Sequence, residues 1–226
     1  MNWFFRRPRD PLAAAYRSAT PRRVPARRAW AEIDFVVLDA ETSGFKVGHD
    51  RLLSLAVLPV RRGELVLGQV REWTVFQPAA ALNAATAVHG ILPAETAAGT
   101  PEREVLAELL PLLPGTVVVG HHIAFDAAML DEALRRHFGT GLRNPLLDTA
   151  TLAMQTVDAF ARTAYPGQRP PALEELSAHC GIVPLDRHTA AGDTFTTAEL
   201  FLLLSARLRS RLGRPLRAGD LPLSRL

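Results

Sequence analysis

Apolar residues fall in short blocks from Ile33 onward, and the spacing inside each block predicts its conformation. Phe35-Val36-Val37-Leu38 is an unbroken apolar run, the pattern of a strand buried on both faces. Residues 52–60 form a second such run, closed by the turn-like Arg61-Arg62-Gly63. Residues 65–70 and 72–76 supply further strand material, so a β-meander is expected to open the domain. A helix is predicted from Pro101, with Val105, Leu106, Leu109, Leu110 and Leu113 at helical spacing and Pro114-Gly115 as its stop. Val117-Val118-Val119 is another buried strand, followed by a helix over 124–137 with Ala128, Leu130 and Leu134 inward. Leu146-Leu147 is a short strand leading into a helix. Residues 168–171 read as a loop, 173–179 as a short helix capped by Gly181, and 189–212 as a long C-terminal helix or helix pair. Strands first, then alternating helices and strands, predict an α/β fold with a mixed sheet.

Charge divides the chain differently from hydrophobicity. Residues 1–30 hold eight arginines (6, 7, 9, 17, 22, 23, 27 and 28) against one acid, Asp10, a local charge of +7. The whole chain is +3, so the body is −4. Pro8, Pro11, Pro21 and Pro25 interrupt any long helix there, and Trp3-Phe4-Phe5 forms an apolar tip. The expected organisation is an Arg/Pro-rich extension over 1–30, a folded domain over 31–212 and a polar tail over 213–226. A partly ordered tail, a contact to phosphate backbone or a partner protein, and a targeting presequence are all readings of the extension; the prolines disfavour the last. The single cysteine, Cys180, excludes an intrachain disulfide framework and a cysteine-built zinc site, and fits a reducing, cytoplasmic setting. No apolar run is long enough to span a bilayer.

Three stretches carry candidate chemistry. Asp39 and Glu41 end the first strand; two residues apart, they project from one face. Adjacent carboxylates repel and raise each other's pKa unless a cation lies between them, and hard oxygen ligands suit Mg²⁺ or Mn²⁺. An ordinary acidic strand-end turn has the same sequence. Asp126 follows Val118-Val119-Gly120-His121-His122 in the first turn of the next helix, a place where the macrodipole favours any acid. His188 and Asp193 lie five apart, about 140° around a helix axis, and converge on one cleft if the histidine sits at the helix mouth. The acidic balance of the body suits a site whose missing positive charge arrives with a metal.

Taken together, these stretches resemble the DEDDh exonuclease family, that of the proofreading subunit of bacterial DNA polymerase III and related stand-alone nucleases. The resemblance covers roughly residues 33–210. Asp39-x-Glu41-Thr42-Ser43-Gly44 is similar to the first exonuclease motif, Gly120-His121-His122-x-x-Phe125-Asp126 to the second and His188-x-Ala190-x-x-Asp193 to the third. Val88-His89-Gly90-Ile91 and Leu147-Asp148-Thr149 also stand where the family carries similar residues. The resemblance implies a ribonuclease-H-like fold with a mixed five-stranded sheet flanked by helices, 31–212 being the exonuclease domain. It implies two Mg²⁺ or Mn²⁺ ions held by Asp39, Glu41, Asp126 and Asp193, with His188 as the general base. Imidazole suits that role because its ordinary pKa of about 6.5 is near working pH. Thr42, Ser43, Gly44, Phe45 and His89 are expected to bind the terminal nucleotide.

The implied activity is 3′→5′ hydrolysis of DNA from single-stranded or frayed ends. An exoribonuclease trimming RNA or short oligoribonucleotides is the alternative, since the same metals attack either phosphodiester. A nucleic-acid-binding module without cleavage is a third reading. His122 departs from the pattern, standing where many relatives carry asparagine. Only about fifteen residues follow Arg211, so a stand-alone or separately recruited exonuclease is expected rather than the replicative proofreader. The basic N-terminus is the expected recruitment element for a polymerase or another protein, and no membrane partner is expected.

Overall fold

The computed structural model describes residues 10–78, 85–161 and 168–226; the Trp3-Phe4-Phe5 tip and the arginines at 6, 7 and 9 lie outside them. Helix α1 (Pro11–Ala19) precedes a meander of β1 (Phe35–Thr42), β2 (Leu52–Arg61), β3 (Glu64–Leu65) and β4 (Arg71–Thr74). Two short helices, α2 (Thr86–His89) and α3 (Pro93–Ala97), lead to α4 (Glu102–Leu109), β5 (Val117–Gly120) and α5 (Ala124–Phe138). Strand β6 (Leu146–Asp148), α6 (Thr149–Thr156), α7 (Leu173–Cys180), α8 (Ala190–Leu212) and β7 (Leu223–Ser224) complete the chain. The sheet runs β3-β2-β1-β5-β6-β7, with β4 also paired to β2. β1 is antiparallel to β2 and parallel to β5, and β5 is parallel to β6, so the sheet is mixed.

The unbroken apolar run of β1 is explained by cover on both sides. Val36 and Leu38, with Leu55, Val57 and Val118, face one core completed by α1, α4 and α5. Phe35 and Val37, with Val117, Val119 and Leu147, face the other, completed by α6, α7 and α8. The period of two places Asp39 and Glu41 on the side of Phe35 and Val37, towards α8. No described helix is long and apolar enough to cross a membrane.

The structure corrects several expectations. Seven strands, not five, form the sheet among the described residues. β3 and β7 are two residues each, too short for alternation to reveal. Residues 66–70 turn through a 3₁₀ segment (Leu67–Gln69) instead of continuing as strand. On α5 the inward alanines are Ala127 and Ala133; Ala128 is half-buried.

The termini also differ from the sequence reading. Within 1–30, α1 buries Ala13 and Tyr16 in the core. The Tyr16 hydroxyl donates to Asn144 Oδ1 (2.6 Å) and accepts from the Arg143 amide (2.7 Å). Burial pushes that phenol up to about 12. The segment before β1 then pairs with the C-terminal residues: Trp30 N donates to Leu216 O (3.0 Å) and Ala218 N to Arg28 O (2.9 Å). Leu216, Ala218 and Leu221 are buried, and β7 pairs with β6. Arg17, Arg22, Arg23, Arg27 and Arg28 stay outward or half-buried while Ala13 and Tyr16 are buried, a division that an average over composition hides.

Candidate active site

The site lies where β1 and β5 end. Asp39 and Glu41 project from β1 towards the N-terminus of α8, and each offers a carboxylate oxygen that lies, with one from Asp193, within 4.8 Å of the others. Local sequence brings Asp193 there. Thr189 caps α8 by accepting from the Gly192 amide (3.1 Å), so Asp193 falls in the first helical turn, where the dipole favours its charge. A Cβ on Gly192 would overlap the carbonyl oxygens of Leu185 and Asp186, so glycine lets the preceding loop close over the helix start. One residue on, Thr194 Oγ1 donates to the carbonyl of Ala56 (3.4 Å), which is the cross-strand partner of Asp39.

Asp126 is buried in the first turn of α5. It is not part of the trio of converging oxygens, yet its charge acts on both Asp39 and Glu41. All three carboxyls are shifted upward. Burial is the largest cause for Asp39, with repulsion from Asp126, Asp193 and Glu41 adding to it. Burial, then Asp193 and Asp126, lift Glu41 to about 7. Burial lifts Asp126 to about 7 against backbone hydrogen bonds from its own amide and that of Ala40. The repulsion expected from sequence is therefore present but second to desolvation, which the sequence does not display.

His188 lies in the loop that enters α8, nearly half exposed, with φ of +63° and Nε2 4.0 Å from Glu174 Oε1 on α7. The two adjacent histidines of the second motif part company. His121 is fixed between Thr149 Oγ1 (2.9 Å) and the Pro171 carbonyl (3.0 Å), and burial pushes it down to about 4. His122 is exposed at φ +55°, its amide donating to Asp148 Oδ1 (3.0 Å), the side chain that also caps α6 through Ala150 N (2.9 Å). Asparagine and histidine both tolerate the left-handed region, which reconciles His122 with the resemblance. His122→Asn is expected to hold the melting temperature within about 2 °C, whereas His122→Val should lower it by about 5 °C, a strain of roughly 1–3 kcal/mol. Thermal denaturation of the two variants checks this.

The nucleotide-binding candidates surround the carboxylates. Thr42 Oγ1 donates to Gly44 O (2.8 Å), and Ser43 Oγ to Asp50 Oδ1 (3.0 Å). A Cβ on Gly44 would come 2.7 Å from Asp50 Oδ2, so glycine is needed here by the loop itself. The Lys46 amide, the largest influence on Asp50, holds that carboxyl below its ordinary range. Phe45 is 80% exposed and meets the half-buried Phe125, next to Asp126 in sequence, at 5.8 Å between ring centroids. His89 borders a cavity of about 240 Å³ shared with Ser54, Glu72, Thr74 and Thr189. Its Nδ1 accepts from the Ile91 amide (3.0 Å), so its neutral ring carries the proton on Nε2, which is buried and has no partner among the described residues.

The profile of the RNase T exonuclease family matches residues 36–201, a span that contains every one of these carboxylates and His188. The chain belongs to that family. A DNA polymerase III subunit epsilon-like protein of Rhodobacter capsulatus is 37% identical over 187 residues, which is 80% of this chain and 25% of the relative. The DNA polymerase III subunit epsilon of Aquifex aeolicus is 26% identical over 195 residues, 86% of this chain and 92% of the relative. This chain therefore spans about a quarter of the first relative and nearly the whole of the second. E. coli Exonuclease I in complex with a dA16 oligonucleotide superposes with a TM-score of 0.65 at 22% identity, over 80% of this chain and 42% of that one. That likeness shows the ribonuclease-H-like exonuclease fold. The residue that sequence reasoning missed is Arg187. It donates to both Asp193 Oδ1 and Glu174 Oε1, and only its position beside His188 could have drawn notice.

Proposed function

We propose that this chain is a metal-dependent 3′→5′ exonuclease acting on DNA ends. The observation that carries the reading is the convergence of Asp39, Glu41 and Asp193 at ligand spacing, with the Asp39 and Glu41 carboxyls pushed upward. Three hard oxygen donors in a partly buried pocket fit Mg²⁺ or Mn²⁺, and Asp126 is the fourth acid close enough to take part. Bound there as a pair, such ions would supply activation of water and neutralisation of charge on the phosphate.

The residues of the chain supply the rest. Asp39, Glu41, Asp193 and Asp126 hold the site anionic and fixed on strand and helix, so little reorganisation accompanies reaction. The His188 imidazole receives the proton of the attacking water, with Glu174 placed to steady the ring. Phe45 and Phe125 offer faces on which a terminal base stacks. His89 Nε2 offers a buried donor to the sugar, while Thr42, Ser43 and Gly44 form the wall of the pocket. DNA is favoured over RNA because the relatives are named as subunits of DNA polymerase III. The exposed arginines within 1–30 serve as the recruiting surface for nucleic acid or a polymerase.

Oligonucleotides of DNA and RNA, labelled at either end and incubated with Mg²⁺ or Mn²⁺, test the assignment. Stepwise loss from the 3′ end of DNA is expected. No shortening with either metal would overturn it, and faster loss from RNA would move the substrate to the alternative class.

A further inference from the structure

Arg187 places a cation against the ligand trio. Its side chain is 21% exposed. Nη1 donates to Asp193 Oδ1, a member of the ligand trio, and Nη2 to Glu174 Oε1 on α7. Nε is buried and has no partner, so the guanidinium is not fully satisfied where it lies. Its charge also opposes the upward shift of Asp39 and Glu41. A guanidinium keeps its charge at any working pH, so it cannot yield to a metal by losing a proton. A divalent ion and this group would therefore compete for Asp193. Glu174, half exposed on α7, gives the guanidinium a second anchor apart from Asp193.

We propose that Arg187 is a resident counter-ion of the ligand trio, holding Asp193 until a divalent cation displaces it, and that it thereby sets the metal affinity of the site. The proposal rests on the metal-dependent reading above. Displacement swings the guanidinium off Asp193 while Glu174 retains it. Because Arg187 and His188 are adjacent, loading of the site and placement of the base are then linked through one short loop.

Calorimetric titration of Mn²⁺ into the full chain, without nucleic acid, provides the test. Arg187→Met removes the charge and keeps an apolar stem; it should bind Mn²⁺ about tenfold more tightly than wild type, the change expected from removing one competing ion pair. Arg187→Lys keeps the charge and should stay within about threefold of wild type. Should the methionine variant fail to fold, Arg187→Gln replaces it with the same expectation. Unchanged or weaker binding by the neutral variant, with wild type binding normally, would overturn the proposal and leave Arg187 as a brace between α7 and α8. Absence of Mn²⁺ binding by wild type and variants alike would instead sink the metal reading itself.

Discussion

Asp39→Asn is expected to raise the melting temperature of the metal-free protein at pH 8 by about 5 °C, an electrostatic gain on the order of 1–2 kcal/mol. The same change should reduce hydrolysis by about 10²–10³-fold or more, the range for losing one preorganised charged group. Both effects follow from one crowding of charge. Asp39 lies among Asp126, Asp193 and Glu41, and burial adds to their repulsion. Glu41 and Asp126 are lifted to about 7 from ordinary values of 4.5 and 3.8. Between the ordinary and the lifted values the folded chain binds more protons than the unfolded one. The stability tied to those protons is complete below the ordinary values and is lost as pH rises through about 7. At pH 8 Glu41 and Asp126 are ionised, and a neutral amide at position 39 removes a third acid from beside them. At pH 5 the advantage should shrink, because Glu41 and Asp126 then carry protons. His121 acts in the opposite direction: held down at about 4, it withdraws stability as pH falls below 6.5. It is common to both proteins and cancels in their difference. Mn²⁺ should reverse the order, stabilising wild type more than the variant. A variant less stable than wild type at pH 8 without metal would contradict the electrostatic account.

His188→Ala should slow hydrolysis by about 10²–10⁴-fold at neutral pH, the usual contribution of a positioned general base. Mn²⁺ binding should remain within about threefold of wild type, because His188 stands outside the converging carboxylates, nearly half exposed. The loss should lessen as pH rises and hydroxide replaces the base. Single-turnover rates across pH, beside a metal titration, separate the two roles. A variant that keeps most of its rate would remove His188 from the chemistry while leaving the metal site intact. One that loses metal binding would make the histidine a ligand or a support for the loop carrying Arg187.

Much of the site was legible because strand periodicity is rigid. Once Phe35-Val36-Val37-Leu38 is a strand, Asp39 and Glu41 must share a face at its end. The end of β5, the glycine turn and the start of α5 likewise follow from local signals, and they carry Asp126. Motif order linked these to His188 and Asp193. Long-range pairing was not legible. Residues 213–226 read as a polar tail because Leu216, Leu221 and Leu223 are scattered, yet they are covered by α8, the segment before β1, and β6. Within 1–30, Ala13 and Tyr16 were lost among arginines, although they reach the core.

The chain's own pattern thus determined most element types from β1 to α8, the alternation on β1 and the identity of the acids, since each depends on residues only a few positions apart. Tertiary structure alone decided that Asp193 meets Asp39, that burial outweighs repulsion in raising the carboxyls, and that Arg187 lies against the trio. These depend on the approach of α8 to β1 and on the exclusion of water, and both arise only when segments about 150 residues apart are packed together.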